Sequence, residues 1–221
     1  MSKDDECVLC VPRKALEDYY GGGLFQGFHG NSDPVAGRDL ALLPTILRNG
    51  VAKFVRRGDC EQDPSLKQII PYVMLTCSAY GQQQVFRYNR AAKGEGESRL
   101  AGKAAVGIGG HINVDDHQGN FDFYATFGAA CSREITEEVK IASAYKIVKR
   151  GFLNDDSDAV GRVHFGVLVE LQLELPCVYP NEPNIVHPHF MPLSWFTDAA
   201  ALNFESWSQI ALRSASSWMD T

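Results

Sequence analysis

The sequence predicts an α+β fold built on a mixed β-sheet. Three observations predict it. Runs rich in branched and aromatic residues dominate the centre of the chain, at 68–78, 84–90, 104–108 and 162–173. Helical patterns occur singly between them, at 127–140 and 198–218, rather than alternating strictly with strands. Glycine and proline clusters punctuate the runs at turn spacing.

The elements follow in order. Residues 6–12 (ECVLCVP) read as a short strand stopped by Pro12, and 13–20 as a helix ended by Gly21-Gly22-Gly23, whose backbone entropy is too large for a helix interior. A polar loop around Gly30 to Asp33 precedes an apolar segment, 38–48, read as partly helical and interrupted at Pro44. The strands at 68–78 and 84–90 are joined through Gly81 as a hairpin. Ala104 to Ile108 is a further strand leading into Gly109-Gly110-His111. The longest strand signal, 162–173, is followed by a Pro-rich stretch, 176–192, expected to be loop or edge structure, with His187-Pro188-His189 read as loop. Asp198 is the expected N-cap of the terminal helix. Residues 1–65 are expected to form an N-terminal extension packed on a main domain of residues 66–221.

Composition narrows the function classes. The net charge of −6, from 21 Lys+Arg against 27 Asp+Glu, disfavours a nucleic-acid polymer, whose binding rests on cationic contacts to phosphate. No apolar stretch reaches the roughly 18–20 residues of a membrane span. The first residues, Met-Ser-Lys-Asp-Asp-Glu-Cys, are too polar and acidic for a secretory signal. Six cysteines, including Cys7-x-x-Cys10 inside a strand, are read as structural thiols of a reducing compartment, because the chain is long enough to build a core without disulfides. The expected location is the cytoplasm.

The most informative segment is Arg133-Glu134-Ile135-Thr136-Glu137-Glu138-Val139. At about 100° per residue, the three glutamates share an arc of roughly 100°. Cys131, Ile135 and Val139 form an apolar stripe beside them at i,i+4 spacing. Clustered carboxylates repel, with Arg133 to Glu137 the one compensating i,i+4 pair. A hard divalent cation, Mg²⁺ or Mn²⁺, is the natural further compensation, since both favour carboxylate oxygens. An isolated E-x-x-E-E is more often a solvated face; here a strand ending in Gly109-Gly110-His111 and a polar loop precede it.

With those residues in view, the sequence resembles the Nudix hydrolase superfamily over about residues 68–196. That family's box reads G-x5-E-x7-R-E-U-x-E-E-x-G-U, with U a bulky apolar residue. Arg133, Glu134, Ile135, Glu137, Glu138 and Ile141 match its helical half in order. The similarity looks closest to a subgroup of predicted phosphoesterases, through Gly-Ile-Gly-Gly-His and the later Val-His-Phe-Gly. From Gly110 to Arg133 is 23 positions, where the box has 14. Gly119 gives the literal spacing but places Ala125 at the box glutamate. That upstream glutamate is missing under either alignment; Asp115 and Asp116 are the candidate stand-ins, and Lys140 replaces the box glycine.

The resemblance implies an α/β/α sandwich with a mixed sheet and metal-dependent hydrolysis of a diphosphate linkage in a nucleotide or other phosphorylated small molecule. It implies Glu134, Glu137, Glu138 and the carbonyl of Gly110 as metal ligands. It gives Arg133 and the same glutamates as catalytic residues, with the general base unassigned. Arg87, Arg90, Lys103 and His111 are the expected substrate contacts, with Arg99 a further cation beside the box. His164, in the long strand, is read either as a phosphate donor or as a satisfied structural histidine. Asn154-Asp155-Asp156-Ser157 is read as turn or extra ligand, and Trp207 and Trp218 as packing residues. The family admits a homodimer. The alternative reading is a degenerate Nudix-fold module that binds a nucleotide without turnover.

Overall fold

The computed structural model describes residues 2–30, 51–91, 100–117, 122–196 and 203–219. The expectations for 31–33, 38–48, Arg99, Gly119 and Asp198 fall outside them. The fold is α+β with a mixed sheet. The chain divides into two compact units: Met1–Pro71, Gly109–Ser132 and Arg150–Val167 form the first, and Tyr72–Ile108, Arg133–Lys149 and Leu168–Thr221 the second.

In the first unit, strand β1 (Cys7–Pro12) runs straight into helix α1 (Arg13–Tyr19). Gly21 and Gly22 follow at φ of 81° and 117°, values that side chains rarely adopt. Strand β1 lies between β3 (Lys53–Arg56) and the start of β4 (Leu66–Ala79), antiparallel to both. Between β3 and β4 comes the short helix α2 (Arg57–Cys60). Strand β2 (Gly27–Gly30) pairs antiparallel with the end of β9 (Tyr145–Asn154). None of β2, β3 and β9 was legible in sequence. The first half of β9 is mostly exposed and carries Lys146 and Lys149, so it lacks a buried alternating face.

A buried ionic network organises this unit. Lys67 is fully buried, yet its Nζ reaches Asn154 Oδ1 (2.8 Å), Asp156 Oδ1 (2.7 Å) and the carbonyl of Gly161 (2.7 Å). Arg13 grips the same Asp156 carboxylate with both terminal nitrogens, at 2.9 and 2.8 Å. Burial pulls the Lys67 ammonium down to about 8, against the pull of Asp156. Arg13 and Lys67 together hold the Asp156 carboxyl far below the usual range. Asp156 is thus a structural counter-ion. Cys7 and Cys10 project from β1 unpaired with each other; Cys10 Sγ instead lies 3.0 Å from Cys60 Sγ, and all six cysteines are free thiols.

In the second unit the strand order is β12-β5-β4-β10, with β5 (Gln82–Arg90), β10 (His164–Leu173) and β12 (Ile185–Pro192). Tyr80 and Gly81 turn β4 into β5, both at positive φ, as a two-residue hairpin of this twist requires. The strand expected at 104–108 is broken in two, β6 (Ala104–Ala105) and β7 (Gly107–Gly109). The break falls at Val106, whose N–H donates to Ser208 Oγ (3.0 Å) rather than to a neighbouring strand. The Pro-rich stretch supplies β11 (Val178–Pro180) and the edge strand β12. His187, expected in a loop, sits at φ 54° in a bulge of β12, which absorbs Pro188 at the sheet edge. Residues 193–195 form a single 3-10 turn after Pro192. The last helix, α4 (Ser206–Met219), begins eight positions after the expected cap.

Candidate functional site

The acidic helix α3 spans Phe123–Glu138. It starts four residues before the expected point because Asp122 Oδ1 accepts the Tyr124 N–H (2.9 Å), a side-chain cap. It stops two residues early. Val139 and Lys140 already belong to strand β8 (Val139–Ile141), which pairs with β11 through Lys140↔Tyr179. Lys140 at the box glycine position is therefore accommodated: the chain leaves the helix directly into extended backbone and needs no left-handed residue. The helix end is closed from outside. Asn181 N–H donates to the Glu138 carbonyl (2.8 Å), and Asn181 Nδ2 donates to the Thr136 carbonyl (2.8 Å).

That cap brings Glu182 to the box glutamates. A fifth carboxylate arrives with Glu205, which immediately precedes α4 and is buried. Its oxygens accept from Arg90 Nε (2.9 Å), Tyr72 Oη (3.0 Å) and Ser208 Oγ (3.2 Å). Glu138 feels Glu134, Glu182 and Glu205 together. Burial first, then these three charges, push its carboxyl up to about 8, with Arg90 opposing. Such crowding fits a hard divalent cation, which would offset both the burial penalty and the mutual repulsion of an all-oxygen donor set. Glu137, half exposed, lies at the outer side of the group.

The other expected residues divide. Arg133 Nη1 is 2.7 Å from Glu134 Oε1 and 3.5 Å from Glu137 Oε2, so it partly neutralises the box. Arg90, expected at the phosphates, directs its guanidinium at Glu205, with its Cζ 5.7 Å from the Tyr88 ring centroid. Arg87 lies 5.6 Å over the Phe204 ring and donates to Asn89 Oδ1. Lys103 is partly buried, and its carbonyl accepts the Arg90 N–H (2.9 Å). Trp207 packs edge-on to Tyr72, as a helical aromatic should. Glu134, Glu137, Glu138, Glu182 and Glu205 all belong to the second unit.

Gly110 and His111 belong to the first unit. Gly110 follows β7 and is half-buried. His111 stands beside His164, with ring centroids 5.4 Å apart. Of the candidate stand-ins for the missing glutamate, Asp115 is exposed. Asp116 is buried in a turn cap, accepting the Asn113 N–H (2.8 Å). Sequence reasoning did not single out Glu182 or assign a role to Glu205. Glu182 sits in a Pro-rich stretch without periodicity, and Glu205 read as an ordinary helix residue.

Comparison with known proteins places this geometry. No family model matches the chain. Protein YmaB of Bacillus subtilis is 35% identical over 218 residues, covering 96% of this chain and 98% of its own. Among solved structures, Tm1382, described as a putative Nudix hydrolase, superposes with a TM-score of 0.70 at 22% identity, covering 94% of this chain and 97% of its own. The Nudix domain of Shewanella oneidensis NrtR, solved with ADP ribose, has a TM-score of 0.52 at 13% identity, over 69% of this chain and 88% of its own. The chain belongs to one family with Protein YmaB, and its fold is that of the Nudix hydrolases. Among the described residues, no helix is long and apolar enough to cross a membrane.

Proposed function

We propose that the chain is a metal-dependent hydrolase of a diphosphate linkage in a nucleotide or another phosphorylated small molecule. The observation that carries this reading is the convergence of Glu134, Glu182 and Glu205 on a Glu138 whose carboxyl is pushed up to about 8. So many carboxylates in one partly buried place are costly without a cation. Glu134, Glu137 and Glu138 would hold Mg²⁺ or Mn²⁺. When bound, the cation supplies charge neutralisation at the phosphate oxygens and activation of the attacking water.

The chain's own residues do the rest. Arg90, Tyr72 and Ser208 fix Glu205, so that carboxylate is oriented before substrate arrives. Arg133 restrains Glu134 and Glu137. Arg87 and Lys103 are the proposed cationic contacts to substrate. Glu182, exposed on the capping loop, is the proposed proton acceptor, because it can exchange its proton with solvent.

A panel of nucleoside triphosphates, dinucleoside polyphosphates, nucleotide sugars, ADP ribose and prenyl diphosphates, assayed with Mg²⁺ or Mn²⁺, tests the reading. Release of phosphate or nucleotide is expected for at least one class. Glu138→Gln is expected to lower it by at least about 100-fold, the upper range for losing a metal's outer-shell partner. Turnover unchanged in Glu138→Gln would overturn the assignment. One observation favours the second reading, a module that binds without turnover. Asp116, a candidate stand-in for the missing box glutamate, is held in its own turn by the Asn113 N–H. Metal-dependent ligand binding with no turnover across the panel would select that reading.

A further inference from the structure

We propose that Glu61, His111 and His164 form a second metal site, in the first unit, for a borderline divalent cation of the zinc type. The site uses none of the glutamates of α3 and takes a different class of metal.

The geometry carries this inference. His164 Nε2 lies 3.3 Å from His111 Nε2 and 3.6 Å from Glu61 Oε1. The three ligand atoms all fall within 4.8 Å of one another. Two ligands at about 2.0–2.1 Å from a tetrahedral zinc ion stand about 3.3 Å apart. The first two separations therefore match the edges of one coordination tetrahedron, and the third is no more than 4.8 Å. Two imidazoles and one carboxylate are a donor set that suits zinc, nickel or iron better than magnesium. Three protein ligands leave a fourth position to solvent or to an anionic ligand.

The orientation of His164 is fixed as a metal ligand's should be. Its Nδ1 lies 2.7 Å from the Val160 carbonyl. A carbonyl only accepts, so Nδ1 carries the hydrogen and Nε2 presents its lone pair to His111 and Glu61. A ligating histidine characteristically donates its other ring N–H to such an outer partner.

Each ligand sits on a pinned piece of backbone. Glu61 caps α2, its N–H bonded to the Arg57 carbonyl (3.0 Å), and its Oε1 lies 3.9 Å from Arg57 Nε. The segment of His111 is tied to β1 through the Leu9 N–H and the Ile112 carbonyl (2.9 Å). His164 opens β10, and its carbonyl accepts from Lys67 (3.0 Å). The ligand atoms can therefore stay close together before the metal arrives. The bland alternative is a hydrogen-bonded histidine pair beside an acid, with no affinity for metal.

The test uses the full chain, stripped with chelator and titrated with Co²⁺, then Zn²⁺. One equivalent of Co²⁺ is expected to give the intense visible bands of a four- or five-coordinate site, which Zn²⁺ displaces and excess Mg²⁺ does not. His111→Ala and Glu61→Gln are expected to weaken that binding at least 100-fold, and Glu138→Gln is expected to keep the bands. His164 is buried, so the two partly exposed ligands carry the test; if His111→Ala fails to fold, Glu61→Gln, nearly isosteric, decides. Absence of the bands in the parent overturns the proposal. So does their loss in Glu138→Gln with retention in Glu61→Gln, which would place the cobalt at the box. The hydrolase reading stands or falls separately, on turnover with Mg²⁺ or Mn²⁺.

Discussion

Asp156 accepts from Arg13, Lys67 and Asn154, and none of those partners lies within its own sequence neighbourhood except Asn154. Its role is charge compensation for a fully buried ammonium. Removing it leaves Lys67 in low dielectric without a counter-ion, a change that typically costs about 3–5 kcal/mol. Asp156→Asn is therefore expected to lose stability of that order in chemical denaturation. The acid dependence follows from the same pairing. The folded carboxyl titrates below its unfolded value, so its contribution is complete above about pH 4–5 and is lost as pH falls toward the folded pKa. The parent is expected to show that steep acid loss, and Asp156→Asn a shallower one. At this scale the sequence marked Asp156 as a turn residue or metal ligand. Its true partners come from positions 13 and 67, which sequence spacing alone does not bring together.

At the scale of elements, the β6–β7 segment controls the surroundings of Glu205. Gly107 passes so close to Tyr72 that a Cβ there would lie 2.0 Å from the ring's Cζ. The ring has little room to retreat, since its hydroxyl is held by Glu205 (3.0 Å) and Ser208 (2.7 Å). Gly107→Ala is expected to destabilise the protein by about 1–3 kcal/mol through overpacking. It is also expected to reduce turnover of any panel substrate, because Tyr72 orients Glu205; thermal denaturation and the same assay read both effects. The box helix was readable because its period places three glutamates together beside an apolar stripe. Its end was not. The Asn181 cap and the β8–β11 pairing come from distant positions further along the chain, and they convert two expected helical positions into strand.

At the scale of the whole molecule, the chain's first 65 residues raise a sharper question than their composition suggested. Strand β1 hydrogen-bonds the start of β4 through Val11↔Lys67, Arg13 neutralises Asp156, and Glu61 stands in the histidine cluster. We propose, as the sequence suggested, that 1–65 is an extension packed on a domain of 66–221, and we expect the domain to depend on it. A 66–221 fragment would expose the edge of β4 and leave Lys67 and Asp156 without Arg13. It is expected to aggregate or to lose cooperative unfolding. A soluble fragment with a parent-like denaturation midpoint would show the extension to be dispensable for folding.

The sequence by itself determined the fold class, the central hairpin, the long strand of β10 and the acidic helix, because each is written in local periodicity and turn chemistry. It also carried enough of the box for a resemblance to the Nudix hydrolases to be read before the fold was known. Only the tertiary structure decided which distant charges meet. Glu182 and Glu205 reach Glu138 through a helix cap and a buried tyrosine, and Glu61 reaches His111 and His164 across separate elements. Electrostatic interaction depends on distance in space and on burial, and neither is encoded in the spacing of residues along the chain.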